Sequence, residues 1–264
     1  FRGFGVQGAS LAGFWGVTGY PGGSPTGLYG PYCDLLAHRY LMIAILMALE
    51  YKRRTGKGQY IDQSQAESGI HFLAPALLDY MVNGRVWGPS GNRNPSAVPH
   101  NAYRCQGNDS WCVIAISTDE EWEAFTKAIG QPDWIQDPKF ATFLKRKENE
   151  EELDKLVEQW TINNPAEEVM YHLQKAGVPA GIVSKAQDLH QDPQLKHRNH
   201  FWILEHPVIG RHTYDAPAFR LSEAPAEPRM PAPCLGQHNE LVCRQILGLS
   251  DDEIAQLLAQ GVLE

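Results

Sequence analysis

Asp34 is the carboxylate whose surroundings best suit chemistry. It follows Tyr20-Pro-Gly-Gly-Ser-Pro-Thr-Gly-Leu-Tyr-Gly-Pro-Tyr-Cys33 and opens a strongly helical stretch over 35–54. Ten of the 24 glycines fall in the first 34 residues, so the backbone here can come close to another group. Local sequence supports two readings of Asp34. As a plain N-cap it would accept amide hydrogens from the first helical turn. As a reactive group, a carboxylate at a helix N-terminus would stay ionised and open to a ligand, able to attack an activated acyl carbon. Nothing in the local sequence separates them.

Other candidates are weaker. The basic cluster Lys52-Arg-Arg54, followed by Thr55-Gly-Lys-Gly58, fits a phosphate contact or, equally, cations completing a helix C-terminus. Ten histidines include no HxxxH or HExxH, and six lie between 190 and 238, which reads as surface or capping imidazoles and predicts no metal site. The run Lys147-Glu-Asn-Glu-Glu-Glu-Leu-Asp154 reads as the solvated face of a helix. No phosphate-binding GxGxxG or GxxxxGK[ST] is present, and no GxSxG nucleophile elbow. Cys33, Cys105, Cys112, Cys234 and Cys243 form no CxxC, which implies reduced thiols and a cytoplasmic protein.

The elements that must position Asp34 follow from periodicity and breakers. A short helix is expected over 7–16, then the helix over 35–54, a short strand over 59–62, and a helix over 63–82 with Ile70, Leu73, Leu77 and Leu78 on one face. Residues 84–100 have the glycine, proline and asparagine density of a linker or binding loop. Strands are expected at 102–106 and 111–117 around the turn Gly107-Asn-Asp-Ser110, helices at 119–129, 145–160 and 165–176, and a strand after Gly177. A hairpin over 200–221, a proline-rich connector over 224–234 and two helices split at Gly248-Leu-Ser250 complete the chain. The fold class is α/β.

Length and charge bound the function. With 264 residues, 43% of them hydrophobic and 20% charged, the chain can bury one large core or two smaller ones as a soluble globular protein. The apolar run 40–49 is about half the ~20 residues of a membrane span, which predicts a buried helix and no membrane partner. A net charge of −8 argues against nucleic acid. Residues 1–100 carry +3 against −11 for the rest, so an anionic ligand belongs with the first hundred residues.

Thr18-Gly-Tyr-Pro-Gly-Gly-Ser-Pro25, Cys33-Asp34, Ile43-Ala-Ile-Leu-Met-Ala-Leu-Glu50 and Arg54-Thr-Gly-Lys-Gly-Gln59 together resemble the family III CoA-transferases (the CaiB/BaiF family, which includes formyl-CoA transferase and the carnitine CoA-transferases). The resemblance continues through Gly91-Asn92, Pro95, Pro99, Ala176-Gly-Val-Pro-Ala-Gly181, Asp192-Pro-Gln-Leu195 and Leu235-Gly-Gln-His-Asn-Glu240, in order along essentially the whole chain.

What the resemblance implies is specific. Asp34 takes the place of the covalent nucleophile that moves CoA from an acyl-CoA thioester to a carboxylic acid through an aspartyl-acyl anhydride and an aspartyl-CoA thioester. Arg2 and Gln65 fall where the family contacts CoA. The implied fold is a partial Rossmann-like large domain plus a small α/β domain. Its parts are the second part of the CoA-binding large domain over 1–83, a linker over 84–100, the small domain over 101–190 and a return segment over 191–264. An interlocked homodimer is implied. Family members carry a Rossmann-like CoA-binding half before the point where this chain begins, so the expectation is a fragment, or a subunit needing another chain. The consecutive glycines of the formyl-CoA and oxalate branch are absent from 84–100, which argues against those substrates. The family's α-methylacyl-CoA racemases pair the aspartate with a histidine that follows a glycine; here the matching stretch is Gly3-Phe4-Gly5, and phenylalanine cannot move a proton. Racemase-like isomerisation and a non-catalytic partner remain the alternatives.

Overall fold

A computed structural model describes residues 3–263. The chain divides between Val183 and Ser184 into two compact units, inside the stretch 101–190 expected as one domain. The first unit opens with short helices α1 (Gly5–Leu11) and α2 (Phe14–Val17), then the glycine- and proline-rich loop, then the long helix α3 (Tyr32–Thr55). Helix α3 ends as its sequence dictates, with Lys52, Arg53 and Arg54 in the last turn and Gly56 at φ +74° beyond it. Arg53 is taken up by Glu50 at 2.7 and 2.8 Å, so this arginine completes a helix end.

Four expectations change in this region. The single helix expected over 7–16 is instead α1 and α2, broken at Gly13 with φ +96°. Helix α3 starts earlier than expected: Pro31 is its N-cap and Asp34 is its third residue, not the cap. Residues 59–62 form no strand, and no described strand pairs with them. The helix expected over 63–82 is broken into α4 (Gln65–Ile70), a 3₁₀ turn His71–Leu73, and α5 (Ala74–Asn83). Pro75, in the first turn of α5, lacks the amide that would continue the ladder.

The apolar run of α3 is not buried. Only Cys33, Leu36 and Ala37 of this helix lie in the core, whereas Met42, Ile43, Leu46, Met47 and Leu49 are all more than half exposed. Ile70, Leu77 and Leu78 are exposed too. The first turns of α3 pack with α1, α2 and α4 in a small cluster of Ala9, Ala12, Phe14, Cys33 and Leu36, and the later turns have no such partner. At 24 residues, α3 is also long and apolar enough to span a membrane by length and composition alone, a test that core helices of soluble proteins pass as well.

A larger cluster follows the linker. Strands β1 (His100–Arg104), β2 (Trp111–Ala115) and β3 (Ala180–Ile182) form an antiparallel sheet in that order, with Ala102 opposite Val113 and Val113 opposite Gly181. Helices α6 (Asp119–Ala128), α7 (Phe143–Glu148), α8 (Glu150–Thr161) and α9 (Ala166–Lys175) belong with it, and Phe125, Leu153, Val157, Val169 and Leu173 fill the core against Tyr103 and Ile114. The single helix expected over 145–160 is split at Asn149, whose φ of −114° and ψ of 25° are not helical.

The acidic run also departs from its expected role, because part of it faces inward. Buried Glu150 pairs with Lys147 at 2.8 Å, and Lys147 also donates to the carbonyl of Asn94 in the linker. Asp154 accepts hydrogen bonds from the Tyr103 hydroxyl at 2.6 Å and from Asn101 at 2.9 Å. Burial, and then the charge of Asp154, push the Tyr103 phenol well above its ordinary value, so it remains a donor. Tyr103→Phe is therefore expected to cost about 1.5–3 kcal/mol, the loss of a hydrogen bond to a charged acceptor, read as a lower urea midpoint with an unchanged slope.

The second unit holds α10 (Ala186–Gln191), α11 (Pro193–His197), the hairpin β4 (Phe201–His206) with β5 (Gly210–Asp215), a π-helical stretch Leu241–Ile246, and α12 (Asp251–Ala259). Asp192 caps α11 by accepting the Leu195 amide hydrogen at 2.7 Å, and Ser250 with Glu253 forms the capping box of α12. Residues 224–234 hold no regular element.

Candidate active site

The cluster at the start of α3 is built on close contacts between helices. A Cβ at Gly69 would come within 2.9 Å of both Ala12 Cβ and Cys33 Sγ. Glycine at this position lets α4 lie directly against α1 and α3. Gly5 plays the same part at the other end: a Cβ there would stand 2.5 Å from Pro31 Cβ and 2.6 Å from Cγ and Oδ2 of Asp34. The backbone of α1 therefore rests against the carboxylate.

Asp34 is half-buried in the first turn of α3, where a carboxylate interacts favourably with the positive end of the helix dipole. Its Oδ1 accepts a hydrogen bond of 2.8 Å from Nε2 of Gln65, 31 positions downstream. Gln65 is the first residue of α4, and its base is secured in several ways. Ser64 caps the helix by accepting the Glu67 amide hydrogen, and Ser68 Oγ donates to the Ser64 carbonyl. Gln63 Nε2 bonds both Ser68 Oγ and the carbonyl of Ala37 on α3, each at 2.8 Å. The residue that holds Asp34 is thus tied to the helix that carries Asp34.

Gln65 also lines a cleft of about 480 Å³, together with Phe4, Gly8, Leu11, Asp62 and Ser64. Two neighbours are unsuited to act on the carboxylate. Burial, then the charge of Asp34, raise the Cys33 thiol above its ordinary value, so it stays protonated and is a poor nucleophile. His38 Nδ1 contacts the backbone carbonyl of Asp34 at 3.1 Å, a contact within the helix rather than to the carboxylate. The amide that meets Oδ1 cannot shuttle a proton, which weighs against the isomerase alternative.

Of the residues singled out in the sequence, Asp34 and Gln65 come together, and Arg2 lies outside the described residues. Sequence reasoning missed Gly5 and Gln63. The spacing Gly5-Val-Gln-Gly8, two glycines on one helical face, is the signal that could have pointed to a close approach. The linker over 84–100 meets the glycine-rich loop that precedes α3: the amide of Gly91 donates to the carbonyl of Gly19 at 2.7 Å. Among the described residues, no group of three or more His, Cys, Asp or Glu side chains is placed to hold a metal.

Comparison with known proteins places the chain in a family. Residues 1–239 match CoA-transferase family III. The chain is 32% identical over 261 residues to the succinyl-CoA–D-citramalate CoA-transferase of Chloroflexus aurantiacus, covering 99% of this chain and 65% of that one. It is 35% identical over 234 residues to the probable CoA-transferase Rv1866 of Mycobacterium tuberculosis, covering 87% and 29%. The human succinyl-CoA:glutarate CoA-transferase is 26% identical, with 99% and 59% covered. The chain thus spans less than two thirds of the length of each of these relatives. Among solved structures, a CAIB/BAIF family protein from Brucella suis superposes with a TM-score of 0.83 at 26% identity, covering 93% of this chain and 63% of that one.

Proposed function

The chain belongs to CoA-transferase family III, and from that premise we propose that it moves CoA between an acyl-CoA thioester and a carboxylic acid, with Asp34 as the covalent nucleophile. The observation that carries this reading is the Asp34 carboxylate, pressed on one side by Gly5 and held on the other by Gln65, a residue that also lines a cleft. An oxygen of Asp34 attacks the thioester carbon, giving a mixed anhydride and CoA thiolate. The thiolate attacks Cγ of Asp34, releases the donor acid and leaves an aspartyl-CoA thioester. The acceptor carboxylate then attacks the same Cγ, and returning thiolate takes the acceptor's acyl group, restoring the aspartate. Each step exchanges one acyl bond for another, so the site must exclude water more than it must move protons.

Succinyl-CoA is named as the donor for two of the relatives, and it is the first donor to test here, with dicarboxylic acids as acceptors. A homodimer is the assembly this reading takes, with the exposed apolar side of α3 available to be covered. Its five free cysteines fit a cytoplasmic location.

The mechanism moves an oxygen as well as CoA. One oxygen of Asp34 leaves with the donor acid and is replaced by one from the acceptor. Turnover with an acceptor labelled with heavy oxygen in its carboxylate is expected to label the peptide containing Asp34, only when the donor thioester is present. CoA exchange that leaves this peptide unlabelled, or no acyl-Asp34 trapped by hydroxylamine, would overturn the assignment.

A further inference from the structure

We propose that Gln65 is a catalytic residue, the hydrogen-bond donor that stabilises the oxyanion formed whenever Cγ of Asp34 is attacked. This inference rests on the transferase reading above and assigns Gln65 a role other than contact with CoA.

The two oxygens of Asp34 stand in different surroundings. Oδ1 receives the Gln65 amide at 2.8 Å, while Oδ2 lies over the backbone of Gly5. An oxygen that already accepts a hydrogen bond is the poorer nucleophile, so the oxygen not held by Gln65 makes the bond to the donor's acyl carbon. Asp34 then becomes an acyl group, whose carbonyl oxygen is the one Gln65 holds. In the next step the CoA thiolate forms a bond to Cγ, and the electron pair of the carbonyl moves onto that oxygen. The oxyanion collapses, the bond from Cγ to the bridging oxygen breaks, and the donor acid leaves as its carboxylate. The acceptor's attack on the aspartyl-CoA thioester repeats the sequence at the same Cγ, with CoA thiolate as the leaving group. In both steps negative charge develops on the atom that faces Gln65 Nε2.

A donor is effective in this role when it need not reorganise as charge appears. Gln65 meets that condition through its position. It sits at the first position of α4, and the Gln63–Ser68–Ser64 bonds and the Gln63 bond to Ala37 fasten that helix end to α3. The donor and the reacting carbon therefore keep their spacing through the cycle. A purely structural role fits Gln65 poorly, because its side chain is exposed and its partner is the reacting group itself.

The proposal predicts an asymmetry between steps. When Asp34 is the nucleophile, the amide bond to its carboxylate gives no help. When Cγ of Asp34 is the electrophile, losing the donor costs about 10²–10³-fold. Gln65→Leu and Gln65→Glu are the variants to compare, the second keeping the length of the side chain without a donor when ionised. The protein is mixed with succinyl-CoA labelled in its acyl group and quenched rapidly, and acyl label on Asp34 is measured beside steady-state turnover. Both variants are expected to acquire acyl label at the wild-type rate, accumulate it, and turn over about 10²–10³-fold more slowly. Equal slowing of acylation and turnover, or unchanged turnover in either variant, would overturn the role of Gln65 and leave Asp34 as nucleophile. A wild-type protein that never carries acyl label on Asp34 gives a different signature, and it would overturn both assignments.

Discussion

Asp34→Ala is expected to lower CoA exchange by about 10⁴–10⁶-fold, the range seen when a covalent nucleophile or its essential partner is removed. The fold should survive. Asp34 is half-buried, its backbone amide still bonds to the Pro31 carbonyl, and the helix loses only a favourable first-turn charge, about 0.3–1 kcal/mol. Activity and stability therefore separate: circular dichroism and the thermal midpoint stay close to wild type while exchange and the hydroxylamine-trapped product both vanish. The hydroxylamine trap on wild-type protein is the companion measurement, because it reads acyl-Asp34 directly. Residual exchange within tenfold of wild type would exclude Asp34 as the nucleophile. Alanine rather than asparagine is the informative replacement, because asparagine could still accept a hydrogen bond from Gln65 and mask a change in local geometry.

The sequence was informative about Asp34 and poor about what touches it. Glycines and prolines before an aspartate, then a long helix, mark a helix N-terminus whichever residue is the cap. The error of placing Asp34 at the cap has a physical origin, since carboxylates are favoured both there and throughout the first turn. Pro31 was the better marker: a proline stands readily at a helix start, and here it immediately precedes the first helical residue. The contact between Gln65 and Asp34 spans 31 positions and depends on how closely α4 crosses α3, which in turn depends on Gly69. No local pattern reports a crossing distance. The small sheet was easier, because Gly107-Asn-Asp-Ser110 is a strong turn signal and Asp109 adopts φ +50° within it. Asp154 was hidden by its neighbours: one acidic run supplies exposed Glu151 and Glu152, buried Glu150 and the acceptor of Tyr103, and only the packing of α8 on β1 sorts them. The apolar run of α3 carried the opposite trap. Its composition reads as core, yet burial depends on a partner, and within its unit only the first turns of the helix have one.

Gly5→Ala should also have a large effect, and it tests the other wall of the site. The added methyl would lie 2.6 Å from Cγ and Oδ2 of Asp34 and 2.5 Å from Pro31 Cβ, distances that real Cβ atoms do not tolerate. Neither neighbour can simply swing away. Pro31 is a ring at the helix start, and Asp34 is held on its far side by Gln65. Either α1 retreats from α3 or the carboxylate leaves its position. Overpacking of this kind costs about 1–3 kcal/mol, partly offset by up to about 1 kcal/mol from the better helix propensity of alanine. The functional cost is larger, because displacing a reacting group by about 1 Å lowers a rate by about 10²-fold. The expected result is therefore a modest fall in the unfolding midpoint together with an approximately hundredfold fall in kcat. Gly16→Ala is the matched control: its methyl would meet nothing within 4 Å, so stability and rate should both stay near wild type. If Gly5→Ala retained full activity, the carboxylate would have to tolerate displacement, and the view that Gly5 and Gln65 together fix its working position would fail. If stability fell by several kcal/mol while the surviving folded protein kept its kcat, Gly5 would matter only to helix packing. A fall in kcat that outweighs the loss of stability is the outcome that places Gly5 in the chemistry of Asp34.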